Sequence, residues 1–260
     1  MKKRAKHWTE LMYIDNARRW VHWMNKGSKA APRIARQIMK VLKKHGVVQG
    51  RILELGCGNG RIAINMAKLG FDVTGVDISR FYLDEARRKA ARGHLKAHFV
   101  HGDIRTLRRS VRGKFDVAIS IWTSLGYYDK PTDERIFLQV GQLLRKKGIF
   151  LILFTMSRER LLSIFNPHGV EETDKYVGII KNTYDSDHSI LNNRWIFYRK
   201  AGKDLIYEDE VDCRLRIYGL HEFVEMAEKA GFGFKEAYDS IMTLEPARPN
   251  SVANLVFEKA

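Results

Sequence analysis

Glu54, Gly56, Gly58, Gly60 and Asp77 are the residues whose types and spacing suit chemistry on a nucleotide. Glycines at alternate positions present bare backbone to whatever lies on the turn. An acid about 20 residues beyond the first of them can hold ribose hydroxyls. The elements that must position these residues are legible around them. Ile52-Leu53-Glu54-Leu55 is an apolar run fit for a buried parallel strand. Ile62, Ile64, Met66, Ala67 and Leu69 follow as a helical pattern, stopped by Gly70. Asp72 to Val76 then forms a second strand that ends on Asp77. A dinucleotide-binding turn would need a small residue at the sixth position from Gly56, and Arg61 is too large for it.

With Glu54 before the turn and a glycine at every second position, the stretch Arg51 to Ser79 resembles motif I of the class I S-adenosylmethionine (SAM)-dependent methyltransferases. The resemblance implies a doubly wound α/β fold with a seven-stranded, mostly parallel sheet, and SAM as the cofactor. The backbone of Gly56, Cys57, Gly58 and Gly60, with Glu54 before it, would wrap the methionine moiety, and Asp77 would hold the ribose. His101-Gly102-Asp103, after a third strand from Lys96 to Val100, is similar to the family's third motif. There Asp103 would accept from the adenine amino group, with Ile78 and Ile104 facing the ring. Asp77 and Asp103 each also precede a helical segment and fit N-capping, which ligand contact does not exclude. Phe115 to Ile121 has the family's F-D-V-A-I shape for strand four, and L-L-R-K-K-G-I-F-L-I resembles its turn into strand five.

The loop after Ile121, Trp122-Thr123-Ser124-Leu125-Gly126-Tyr127-Tyr128-Asp129, lies where such sheets place chemistry, outside the carboxyl ends of the strands. The Asn/Asp-Pro-Pro-aromatic tetrapeptide of many base-amine methyltransferases is not in it. Trp122, Tyr127 and Tyr128 can sandwich a planar acceptor, with Thr123, Ser124 or Asp129 hydrogen-bonding to it. Alternatively, Trp122 only closes the cofactor pocket. Methyl transfer from a sulfonium needs alignment and dryness more than a strong base, so no catalytic dyad is expected. Asp129 or the backbone after Ile121 would suffice to accept from an exocyclic amine.

Net charge is +16, and it is segregated. Residues 1–50 hold thirteen Lys/Arg against Glu10 and Asp15, and Arg87 to Lys114 holds ten against Asp103. Such clustering points to a polyanion, with rRNA or tRNA as the expected methyl acceptor and a base nitrogen as the target; the alternative is a small-molecule or protein N/O-methyltransferase whose β insertion covers the acceptor pocket. A thermophile-like surface is the plainer reading, but it would enrich Glu along with Lys. Residues 4–25 read as a helical arm in which Trp8, Tyr13, Trp20 and Trp23 alternate with bases. Those rings are either a stacking platform for bases or a lid over the cofactor, with Tyr13 closing on SAM as a Tyr does in related enzymes. Ser28 is placed to cap a helix running to about His45. Residues 1–49 therefore form an arm and first helix, and 50–156 with 217–260 form the SAM-binding domain. Residues 157–216 form an antiparallel β insertion, which would cover the acceptor site or support oligomer formation. Cys57 and Cys213 are too few for a disulfide framework, and the longest apolar run, Gly148 to Met156, is far below the ~20 residues of a membrane span. No signal-peptide pattern opens the chain, and a reducing cytoplasm is expected.

Overall fold

A computed structural model describes residues 5–260. The arm opens with a helical turn, α1 (Trp8–Glu10), continues through a π-helical turn at Leu11–Asp15, and resumes as α2 (Ala17–Lys26). The expected single helix is thus broken at Asn16, and its expected start at Arg4 lies outside the described residues. α3 (Ala31–Lys44) begins with Pro32 in its first turn, where the missing N–H costs nothing. Ser28 does not cap it, because its hydroxyl donates instead to the Met24 carbonyl at 3.3 Å.

From there the chain alternates: β1 (Arg51–Leu55), α4 (Arg61–Lys68), β2 (Asp72–Asp77), α5 (Arg80–Arg92), β3 (Ala97–His101), α6 (Leu107–Ser110), β4 (Phe115–Ile121), α7 (Lys130–Leu143) and β5 (Leu144–Thr155). After α8 (Arg158–Ile164) come β6 (His168–Glu172), β7 (Tyr176–Asp185), β8 (Ile190–Ala201) and β9 (Asp204–Arg216). α9 (Leu220–Lys229), β10 (Phe232–Ser240), β11 (Glu245–Pro246) and β12 (Ala253–Lys259) close the chain. α7 starts at Lys130 because Asp129 caps it and Pro131 fits its first turn.

The main sheet has the order β11-β10-β12-β5-β4-β1-β2-β3, with β1 to β5 parallel, β12 antiparallel to β5, and β10 antiparallel to β12. Its eighth member, the two-residue β11, is an edge addition to the expected seven. α3, α4 and α5 bury apolar stripes on one face, and α6, α7 and α9 on the other. The order in which strands are laid down reverses between β1 and β4, which opens a crevice at their carboxyl ends. β6 to β9 form a separate antiparallel sheet, the expected insertion, with His168–Glu172 pairing on β7 at its edge. No described helix is long and apolar enough to cross a membrane.

The arm lies between the two sheets. Trp8 and Met12 pack with Phe197, Val211 and Cys213, Trp20 meets Trp195 edge-on at 4.9 Å, and Trp23 stacks on Tyr176. Charge follows the same joint. Arg19 pairs with Glu208 at 3.1 Å and Lys26 with Glu171 at 3.2 Å, so acids of the insertion take up cations of the arm.

Candidate functional site

β1 delivers Glu54 and the glycine turn to the crevice. Gly56, Gly58 and Gly60 all take left-handed φ (62°, 52° and 73°), which a side chain resists. A Cβ on Gly58 would come 2.3 Å from the Met24 methyl, and one on Gly56 would come 2.6 Å from Ser124 Oγ. The turn is bound to β2: Gly58 N donates to Asp77 Oδ2 and Ser79 N to Asp77 Oδ1, both at 2.8 Å. Burial raises the Asp77 carboxyl against these two donors. Burial also pushes Glu54 up to about 8, opposed by a hydrogen bond from the Ala63 backbone and by the charge of Arg61.

A cavity of about 300 Å³ stands over this turn. It gathers Tyr13, Gly56, Gly58, Asp77, Ile78, Asp103, Ile104, Ile121, Trp122, Thr123, Ser124, Tyr127 and Tyr128. The other expected site residues stand back from it. Glu54 and Cys57 are buried beneath the turn, and a Cβ on Gly60 would strike Phe99 and Ala86, so that glycine serves helix packing. Gly102 ties β3 to β2 through its N–H to the Asp77 carbonyl. Asp129 is exposed outside the cavity and accepts from Thr132 N at 2.9 Å, which occupies it as the cap of α7. Asp103 is engaged by its own neighbour, the Arg105 guanidinium, at 2.6 Å. Arg105 also lies 4.3 Å from the Tyr128 ring centroid.

Trp122 adopts φ 61°, a strained value for a bulky residue, at the end of β4. Arg61 covers its ring, with Cζ 3.4 Å from the centroid, so that face is not open to a planar acceptor. Tyr13 and Tyr127 share a hydrogen bond of 2.8 Å, Tyr127 donates to Thr123 Oγ1 at 3.2 Å, and Tyr128 meets Thr9 Oγ1 at 3.1 Å. Burial pushes Tyr127 up to about 12 and raises Tyr13 as well, so these phenols stay protonated and act as hydrogen-bonding hydroxyls.

Thr9, Trp20, Trp23, Met24, Arg61 and Tyr82 also line the cavity. Trp20 and Trp23 carried a lid signal in the sequence, whereas Thr9, Met24 and Tyr82 carried none. Arg61 was visible only as an obstacle to a dinucleotide. It donates to the Met24 carbonyl at 2.9 Å, and Asn59 donates to Asn25 Oδ1 at 2.9 Å, so two bonds fasten the arm to the glycine turn. Replacing Arg61 with Met is expected to release the arm and speed SAM dissociation about tenfold, read by stopped-flow fluorescence.

Arg216-x-Tyr218 is read from the sequence as structural. Tyr218 donates to Asp133 Oδ2 at 2.7 Å, and Gly126 N donates to the same oxygen at 3.0 Å. The pair braces the loop that carries Tyr127 and Tyr128. A Tyr218→Phe variant should lower stability by about 1–3 kcal/mol, measured as a shift of the urea midpoint, because buried Asp133 loses a donor.

The site fits SAM. Glu54 Oε2, Asn59 Oδ1, the Trp23 indole N–H and the Tyr82 hydroxyl are buried without partners among the described residues, and a Cβ on Gly56 or Gly58 would crowd Ser124 or Met24. Together, fold and site define a class I SAM-dependent methyltransferase, and the chain belongs to that family. A methyltransferase-domain family model matches residues 52–148. A protein of Geobacillus sp. (strain WCH70) that carries a methyltransferase name is 31% identical over 223 residues, covering 82% of this chain and 87% of its own. A glycine/sarcosine N-methyltransferase of Halorhodospira halochloris is 29% identical over 175 residues, 66% of this chain and 54% of its own. Among solved structures, a SAM-dependent methyltransferase from Clostridium acetobutylicum superposes with a TM-score of 0.74 at 18% identity, covering 87% of this chain and 90% of its own.

Proposed function

We propose that this enzyme transfers the SAM methyl group to a small molecule admitted beneath the arm. The observation that carries this reading is the roof. Trp20, Trp23 and Tyr13, which would have to be open to stack on RNA bases, are packed between the insertion and the cavity. The arm's Arg19 and Lys26 are paired with acids of the insertion rather than presented to phosphates. The glycine/sarcosine methyltransferase relative bears the names of small acceptors, which supports the same class.

SAM supplies a methyl group on a sulfonium, activated without help from the protein. The chain's own residues bind, align and exclude water. Asp77 fixes the turn through two N–H groups, and the Tyr13-Tyr127-Thr123 hydroxyl chain offers polar contacts in an otherwise aromatic chamber. No histidine lines that chamber among the described residues, and its two acids, Asp77 and Asp103, are already held by donors. The nucleophile therefore enters with its lone pair free, and its proton leaves to solvent after transfer.

A second reading keeps RNA as the acceptor, and one observation favours it. Arg33, Arg36, Lys40 and Lys43 of α3, with Arg88 and Arg92 of α5 and Lys96 after it, are exposed and have no carboxylate partner among the described residues. Tritiated SAM incubated with total RNA, protein and metabolite fractions separates the two. Label in the metabolite fraction is expected, and label confined to nuclease-sensitive material would reverse the assignment.

A further inference from the structure

Behind Tyr127 and Tyr128 lies a second cavity of about 590 Å³, and these two rings line it as they line the chamber. Its other walls are unlike the chamber's. Lys130, Arg214, Arg216, His7 and His188 face it, against one acid, Asp129, whose carboxylate already caps α7. His188 is paired with Asp185 at 2.8 Å, but the lysine and the two arginines have few carboxylates between them. One carboxylate, Glu222, is shared by Lys130 at 3.5 Å, Arg216 at 3.2 Å and Arg158 at 3.8 Å. Lys130 reaches a second, Glu225, only at 3.8 Å. Arg214 is exposed and has no ion pair among the described residues, and the buried Nε–H of Arg216 has no acceptor.

We propose that this second cavity binds a carboxylate or phosphate group at Arg214, Arg216 and Lys130. On the small-acceptor reading above, on which this part of the inference rests, that anion is the charged end of the methyl acceptor. The shared wall places the charged end on one side of Tyr127 and Tyr128 and the SAM chamber on the other. An arginine donor left without an acceptor is costly when buried, and a bound oxyanion would satisfy it with a charge-assisted bond. Backbone bonds hold the arrangement together: Arg216 N donates to the Gly126 carbonyl at 2.7 Å, which fixes the end of β9 against the loop carrying both tyrosines.

The test is calorimetric titration of inorganic phosphate, and separately of succinate, into the full chain at low salt. Arg214→Gln and Lys130→Gln are compared with Arg88→Gln on the remote face of α5. One-site binding of at least one anion is expected, weakened at least tenfold by Arg214→Gln and by Lys130→Gln and unchanged by Arg88→Gln. Arg214 is exposed and has no ion pair among the described residues, so its replacement leaves the fold intact and the result interpretable. The arm that binds tells phosphate from carboxylate. No saturable binding, or equal binding by all the variants, overturns the site. The methyl-fractionation experiment reads the acceptor class independently. Label in RNA with anion binding lost in Arg214→Gln would sink the small-acceptor reading and leave the anion site standing. Label in metabolites with no anion binding would do the reverse.

Discussion

A Gly58→Val variant will fold and will not hold SAM. At φ 52° a β-branched side chain costs about 1–2 kcal/mol, which a domain of this size survives. Its first carbon would lie 2.3 Å from the Met24 methyl, the far end of a flexible chain that can swing aside. The space it then takes is the bare backbone that the cofactor needs. Binding measured calorimetrically should weaken at least 100-fold, about 2.7 kcal/mol, while the far-ultraviolet circular dichroism is unchanged. A variant that bound SAM within threefold of the parent would show that the cofactor does not rest on this turn.

The second large effect concerns Glu54 and has a definite sign in pH. The folded state raises this carboxyl from 4.5 to about 8, so its neutral form is the one the fold favours. The stabilisation is complete below the unfolded value and disappears as pH rises through about 8, where the buried group must ionise. Glu54→Gln keeps the shape and abolishes ionisation. It should therefore be more stable than the parent at pH 9 by up to about 5 kcal/mol, or roughly 10 °C in Tm, and indistinguishable from it below pH 4.5. At pH 9, where Glu54 is ionised, the same variant should also bind SAM more weakly, because the carboxylate beneath the turn then offers a negative charge to a cationic cofactor. Thermal melts at several pH values with and without SAM check both halves. If stability and affinity moved together, the idea that Glu54 is retained at a cost in stability would be wrong.

The SAM-binding half was legible because its signals are local. Glu54, the three glycines and Asp77 occupy one strand–turn–helix–strand unit, and covalent connection alone brings them together. The roof was much less legible, because its contacts join residues far apart in the chain. Trp20 touches Trp195 and Tyr13 touches Tyr127, and no periodicity near residue 20 reveals a partner so distant. Asp129 misled for a related reason. An acid before Lys130-Pro131 is a helix cap and a potential ligand in the same letters, and only its accepted bond from Thr132 decides between them. The basic arm read as a surface for polyanions because the acids that answer it, Glu171, Glu208 and Asp209, lie in a segment whose own charge is balanced.

Placing the arm between the two sheets also fixes the order in which the enzyme becomes competent. Met12 and Trp20 emerge early from the ribosome, yet the residues they pack on, Trp195, Phe197 and Val211, are made much later. A growing chain whose five parallel strands are complete still exposes the aromatic face of its arm. Contacts of such wide sequence separation are slow to close and leave apolar surface open meanwhile. Refolding from denaturant should accordingly restore the helical signal first and retention of SAM last, and truncation before β9 should leave a chain that aggregates.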